Sequence, residues 1–232
     1  MKNSIESIKK AIHELNILKQ TRDQAELYLE LARMIEGLLE TIYEKAGKEL
    51  ELPIDIRLVC EYMGITVYPR AIASSPHQFN KVLGHIMITR DEKTILVNNR
   101  VGLKTQRYAI AHSVGRYLLL KGKTIYEHSY AIPLMPDDLE EISADTVALF
   151  LLLPLKVFKK EFKKYLKETK DYPLDVDAWL QYLSDKSQMS MFNLAIGYQQ
   201  LKQVACYERI DDFEKADYNL DIFSDEYSDI FP

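Results

Sequence analysis

The chain has 232 residues, a mass of 27.0 kDa, 47% hydrophobic and 28% charged residues, the composition of a globular protein of one or two domains able to bury a sizeable core. Eight Gly and eight Pro exclude collagen-like and low-complexity classes, and two cysteines, Cys60 and Cys206, are too few for a disulfide framework, so a reducing, cytoplasmic location is expected. The formal charge of −5 is unevenly placed: residues 207–232 hold nine acids against Arg209 and Lys215, which leaves the rest at +2 and gives no reason to expect a nucleic-acid partner.

The first residues, Met1-Lys2-Asn3-Ser4-Ile5-Glu6, carry no apolar stretch of the kind that directs secretion. Residues 4–46 read as helix, with apolar positions Ile5, Ile8, Ile12 and Leu15 and then Tyr28, Leu31, Ile35, Leu38 and Ile42 spaced three or four apart. The rhythm breaks at Thr21-Arg22-Asp23-Gln24, a Thr-x-x-Gln capping box, so a helical hairpin competes with one long helix, and Gly47 behind Lys45 closes the segment. Residues 1–47 are therefore expected to form a helical extension that packs on the body or mediates a homo-oligomer.

A short helix with Pro53 at its start is expected over Ile54 to Met63, then Gly64 and a β-rich run, Ile65-Thr66-Val67-Tyr68. Two apolar runs, Gly84 to Thr89 and Thr94 to Val97, flank Arg90-Asp91-Glu92-Lys93 as an antiparallel hairpin. Next comes a helix from about Thr105, its expected N-cap, to Lys121, with Ile110, Val114, Tyr117 and Leu118 on its inner face. Residues Tyr126 to Ser129 read as loop, a second strong helix begins near Asp137-Asp138 and ends before Pro154, and two or three more helices occupy Leu155 to Cys206. The longest apolar run, Val147 to Leu155, falls far short of the roughly 20 residues a membrane span requires, so no membrane partner is expected.

The segment Gln106-Arg107-Tyr108-Ala109-Ile110-Ala111-His112-Ser113-Val114-Gly115-Arg116-Tyr117-Leu118-Leu119 resembles the signature helix of the ImmA/IrrE metallopeptidase family, R-F-x-x-A-H-E-x-G-H-Y-x-L. A second segment, Glu141-Ile142-Ser143-Ala144-Asp145-Thr146-Val147-Ala148 followed by Leu151-Leu152-Leu153-Pro154, is similar to that family's E-x-x-A-[ND]-x-F-A block ending in L-L-M-P. Leu52-Pro53-Ile54-Asp55-Ile56, Gly64-Ile65-Thr66-Val67 and Ile95-Leu96-Val97-Asn98 resemble the pieces that precede the signature helix, in the same order. The resemblance runs from about Leu52 to Val204 and implies an α+β fold, zincin-like and helix-dominated, with a small, mostly antiparallel sheet over residues 52–206. The extension before it and the acidic, aromatic tail of residues 207–232 lie outside it.

In H-E-x-x-H two histidines four residues apart share a helical face and bind zinc through neutral imidazoles, and the Glu is general base for the metal-bound water. The resemblance assigns His112 to the first ligand position and Glu141 to the third, but Ser113 stands at the general-base position and Arg116 at the second ligand position. A serine hydroxyl is no base near neutral pH, and an arginine offers donors and no lone pair. No catalytic residue and no cofactor is therefore expected. Arg116 is read as a cation in the ion's place, paired with Glu141, in a vestigial site of His112, Arg116 and Glu141; the other reading leaves Arg116 in solvent and Glu141 as an exposed helix-start acid. His112 is either a satisfied core histidine or a remnant ligand.

If a metal binds, it is zinc held by His112, Glu141 and His128, in a divergent endopeptidase. The favoured expectation is a pseudoenzyme that binds a protein partner. Active members of the family resemble regulators that cut a helix-turn-helix repressor in mobile elements or stress responses, so the implied partner is of that kind and the implied source bacterial or phage-like. Two further features stand apart. Lys156, Lys159, Lys160, Lys163, Lys164, Lys167 and Lys170 line one helix opposite Phe158, Phe162 and Leu166, and the tail from Asp217 to Phe231 interleaves acids with large apolar groups, which purely solvating tails lack. Cys60 and Cys206 read as core residues.

Overall fold

The computed structural model describes residue 9 and residues 24–72, 82–120, 125–131, 139–169 and 175–207. The capping box at Thr21, most of the preceding helical stretch and the tail beyond Tyr207 lie outside the described residues. The elements are α1 (Gln24–Lys45), α2 (Ile56–Tyr62), β1 (Thr66–Arg70), β2 (Val82–Ile88), β3 (Lys93–Asn98), α3 (Leu103–Leu119), β4 (Tyr126–Ala131), α4 (Leu139–Leu152), α5 (Leu155–Thr169), α6 (Val176–Ser187) and α7 (Met191–Tyr207). This is a helix-dominated α+β architecture with a four-stranded sheet in the order β1-β3-β2-β4. The β1–β3 pair is parallel, and β2 runs antiparallel to both β3 and β4.

Local chemistry explains most boundaries. α1 ends in a left-handed Gly47 at φ +63°, with the amides of Gly47 and Lys48 reaching back to the carbonyls of Glu44 and Tyr43, the reciprocal closure that glycine permits after a helix. α2 starts two residues later than Pro53 suggests, because Asp55 is its cap: the carboxylate accepts the Leu58 amide at 3.2 Å. The β2–β3 turn is held by Thr89, whose Oγ1 accepts the amides of Asp91 and Glu92. α3 begins at Leu103, with Gly102 as an N-cap that makes no side-chain bond, so Thr105 is not the cap but already inside the helix.

The apolar stripe of α1 (Leu31, Ile35, Leu38, Ile42) is buried in the same core as the sheet and the remaining helices. Each such side chain contributes about 1.5–3 kcal/mol when removed from water, which seats α1 against α7, α4 and α5. A second focus is aromatic: Trp179 is enclosed by Phe158, Phe162, Tyr165 and Tyr182, with ring centroids 5.0–5.9 Å away. Cys60 is buried as expected, and burial pushes its thiol up to about 12, an inert group.

The centre of the molecule is α3. Every residue from Tyr108 to Leu118 is buried, so the single inner face expected from periodicity is instead burial on all sides. The sheet approaches α3 at Gly84, where an added Cβ would stand 3.4 Å from that of Ala109, and α4 crosses the other side. That crossing is close: a Cβ on Gly115 would lie 2.7 Å from the Ala144 carbonyl oxygen, a distance only glycine allows. Arginine and histidine on such a helix must find partners inside the protein. Among the described residues, no helix is long and apolar enough to cross a membrane.

Candidate functional site

α3 contributes His112 and Arg116 to the site, α4 contributes Glu141 and Asp145, and the edge strand β4 contributes His128 and Tyr130. The expectation of a loop at Tyr126 to Ser129 is corrected: these residues are strand, with Gly84 paired to Tyr130 and Ile86 to His128. The alternation along β4 turns Tyr126, His128 and Tyr130 inward and Glu127 and Ser129 outward. On the outer face His85 meets both Ser129 Oγ at 2.8 Å and Glu127 Oε1 at 2.9 Å, which pins the register and so the depth at which His128 enters.

Glu141 is the hub. Its Oε1 lies 2.9 Å from Arg116 Nη2 and 2.8 Å from His128 Nε2, and its Oε2 lies 2.8 Å from His112 Nε2. Arg116 is only 5% exposed, so the guanidinium does not point to solvent but sits in the protein against the carboxylate. The two histidine contacts are equally short, but neither Nε2 is well aligned for a hydrogen bond to the carboxylate. Burial works to raise the Glu141 carboxyl, but the adjoining imidazoles of His112 and His128 and the charge of Arg116 hold it well below the usual carboxylate range.

Arg116 does a second thing. Its Nη2 donates to His128 Nδ1 at 3.1 Å. A guanidinium can only donate, so Nδ1 is the accepting nitrogen and the ring proton resides on Nε2, facing Glu141. In that tautomer the nitrogen nearest the carboxylate has no lone pair to give a metal.

His112 is fully buried and stacked on Tyr130, with ring centroids 3.9 Å apart and planes inclined at 22°. Its Nε2 is 3.7 Å from Asp145 Oδ1, and Asp145 in turn accepts the Tyr108 hydroxyl at 3.0 Å. Burial raises the Asp145 carboxyl, opposed chiefly by His112, while burial and the neighbouring carboxylate raise the Tyr108 and Tyr130 phenols, which are therefore donors rather than bases. Ser113 faces away from this cluster's chemistry: its hydroxyl donates to the Ala109 carbonyl at 2.8 Å, one turn back in its own helix.

The structure thus brings together His112, Arg116, Glu141 and His128, and leaves Ser113 outside. Asp145, Tyr108 and Tyr130 also belong to the cluster and were not singled out as site residues. The period-two pattern of Tyr126, His128 and Tyr130 is the signal that points to an inward strand face. Among the described residues, no group of three or more His, Cys, Asp or Glu is arranged to hold a metal ion.

Neither curated proteins nor solved structures give a match to the chain. A family model does match, that of the M78 peptidases, described as the IrrE N-terminal-like domain, over residues 60–195. The match takes in the sheet, both crossing helices and the whole charge cluster between them. By that match over more than half its length, and by a helix-rich zincin-like fold with a small mixed sheet, the chain belongs to the IrrE N-terminal-like, metallopeptidase-like family.

Proposed function

We propose that this protein is a non-hydrolytic member of its family, a cytoplasmic regulatory module that recognises a protein partner and does not cut it. One observation carries the reading: the Arg116 guanidinium, at the position of the second metal ligand, lies 2.9 Å from the carboxylate at the position of the third. A zinc ion and a guanidinium cannot share that space, because the cation already in place repels the metal and offers no lone pair. The residues present do not fit the family's zinc. His112 has lost its partner imidazole to Arg116, His128 is held in the wrong tautomer by the same arginine, and Ser113 spends its hydroxyl inside the helix. Proton transfer by a positioned base contributes roughly 10²- to 10⁴-fold to rate, and Ser113, at the base position, does not supply it. What persists is the family's scaffold with an edge strand, β4, beside the site, to which a partner of the helix-turn-helix regulator kind can add.

A second reading rests on one contact. His128 reaches Glu141 Oε1 at 2.8 Å and His112 reaches its Oε2 at 2.8 Å, so both imidazoles border one carboxylate. A divergent zinc endopeptidase built on these three requires Arg116 to move aside and His128 to change tautomer. Metal analysis of protein purified without chelators separates the two. The expected result is no stoichiometric zinc in the native chain and about one zinc per chain in Ser113→Glu/Arg116→His, which restores the family's donors. Stoichiometric zinc in the native chain that disappears in His112→Ala, together with cleavage of a helix-turn-helix protein, overturns the proposal in favour of the enzyme.

A further inference from the structure

A second charged feature lies apart from the site, where α5 runs beside α1. The start of α5 is clamped by two acids of α1: Glu36 accepts the Lys156 backbone amide at 2.7 Å, and Glu40 accepts the Lys156 ammonium at 2.7 Å. Further along, cations exceed acids. An open groove of about 500 Å³ is lined by Arg33 and Glu36 from α1 and by Leu155, Lys156, Lys159, Lys160 and Lys163 from α5. Lys160 and Lys163 are exposed, and Lys164 and Lys167 continue the basic face. Burial, with Arg33 and Lys163 nearby and Glu36 opposing, lowers the Lys159 ammonium, as expected where like charges crowd. In the neighbouring groove beyond Lys156, Glu40, Glu44 and Glu49 balance Lys48, Lys156 and Lys160, so the net cationic stretch is the groove that holds Arg33.

We propose that this cationic groove is the docking site of the chain's own C-terminal segment, residues 208–232. That segment carries nine acids against Arg209 and Lys215, which complements Arg33, Lys159, Lys160 and Lys163, faced by Glu36, beyond the Lys156 already paired with Glu40. Its acids are interleaved with Phe213, Tyr218, Leu220, Ile222 and Phe223, side chains a purely solvated tail has no use for. The connection is short. α7 ends at Tyr207 and lies beside α1, with Gln200 bonded to Tyr28. At about 1.5 Å per helical residue, Arg33 is about 8 Å along α1 from that contact and Tyr207 about 10 Å along α7. The 25 residues after Tyr207 can extend to about 80 Å, several times what the span requires. Anchoring at one end raises the effective concentration of the segment at the groove, so weak charge contacts suffice.

Zero-length carbodiimide cross-linking of the full chain, read by mass spectrometry on an equal mixture of ¹⁵N-labelled and unlabelled protein, tests the proposal. Lys160 and Lys163 are expected to link to acids between Asp211 and Asp229 within one isotopic chain, and less so as salt rises. Their acetylation is expected to be severalfold faster in Asp217→Asn/Asp221→Asn/Asp225→Asn/Glu226→Gln/Asp229→Asn than in the native chain, while that of Lys104, held by Ser184 and Asp185, is unchanged. Three outcomes overturn it: links found only between labelled and unlabelled chains, which assign the groove to a second copy; no links and equal acetylation, which leave a solvated face; or protection of these lysines by a DNA duplex with no effect of the tail substitutions, which assigns it to phosphate.

Discussion

Two helix pairs in this molecule set cations against carboxylates in opposite media. Between α3 and α4, Arg116 meets Glu141 inside the protein, with two imidazoles and a second carboxylate around them. Between α1 and α5, Lys156 meets Glu40 at a shorter distance, 2.7 Å, but with both side chains about half or more exposed. Distance alone ranks the second pair higher. Solvent reverses the order, because water screens the exposed pair and supplies replacements for each partner, whereas a buried carboxylate deprived of its cation has none. The α3–α4 charges are thus part of the fold's integrity, while the α1–α5 pair contributes little to it.

The sharpest way to break this contrast is Arg116→Ala. Loss of the buried cation is expected to lower the unfolding free energy by about 3–5 kcal/mol, measured by urea denaturation. The double variant Arg116→Met/Glu141→Gln recovers most of that loss, since an apolar and a neutral group do not leave a charge stranded. An equal loss in the double variant would show that packing, not charge, is at stake.

Next comes Gly115→Ala. The new methyl meets backbone, the Ala144 carbonyl, and cannot be relieved by a rotamer change. Forcing the helices apart is expected to cost about 1–3 kcal/mol, and it widens the Arg116–Glu141 gap, so its effect and that of Arg116→Ala add up to less than their sum. Full additivity would mean the crossing does not set the pair's distance.

Acid sharpens the comparison further. Glu141 is held below its ordinary value in the folded chain, so its contribution is fully present above the unfolded carboxylate pKa, about 4.3, and is lost as pH falls through the folded value. Asp145 is raised and works the other way, disfavouring the folded state as pH climbs from the unfolded value through the folded one. The difference in stability between the native chain and Glu141→Gln is therefore expected to shrink as pH drops below about 4.3, and to stay constant from there to neutrality. At the other extreme, Lys156→Ala is expected to leave the urea midpoint where it was, because the ammonium it removes is exposed. A clear drop there would mean that the α1–α5 interface depends on that pair.

Much of this was legible from residue order. The segments Gln106–Leu119 and Glu141–Pro154 resemble the family's two signature blocks, which implies both helices, whereas their close crossing at Gly115 is seen only in the structure. Glu141 and Arg116 could be proposed as partners because a carboxylate and a cation stood at positions whose native chemistry demands a shared centre. β4 escaped, since Tyr126-Glu127-His128-Ser129 holds few of the β-branched residues that announce a strand and its pairing partner, β2, is distant in sequence. The capping of α2 by Asp55 and the start of α3 at Leu103 moved boundaries by two residues for reasons of local hydrogen bonding.

Residue identity alone determined that position 113 carries a hydroxyl and position 116 a guanidinium, since no folding turns a serine into a carboxylate or an arginine into an imidazole. Tertiary structure decided where the resulting charges go. The close approach at Gly115, the burial of α3 on every side and the register of β4 deliver Arg116 and His128 to the same carboxylate, and the arginine then sets the histidine's tautomer. Composition and periodicity describe which side chains a segment carries and which faces it offers. Only the assembled core removes the water that would otherwise make those charges independent of one another.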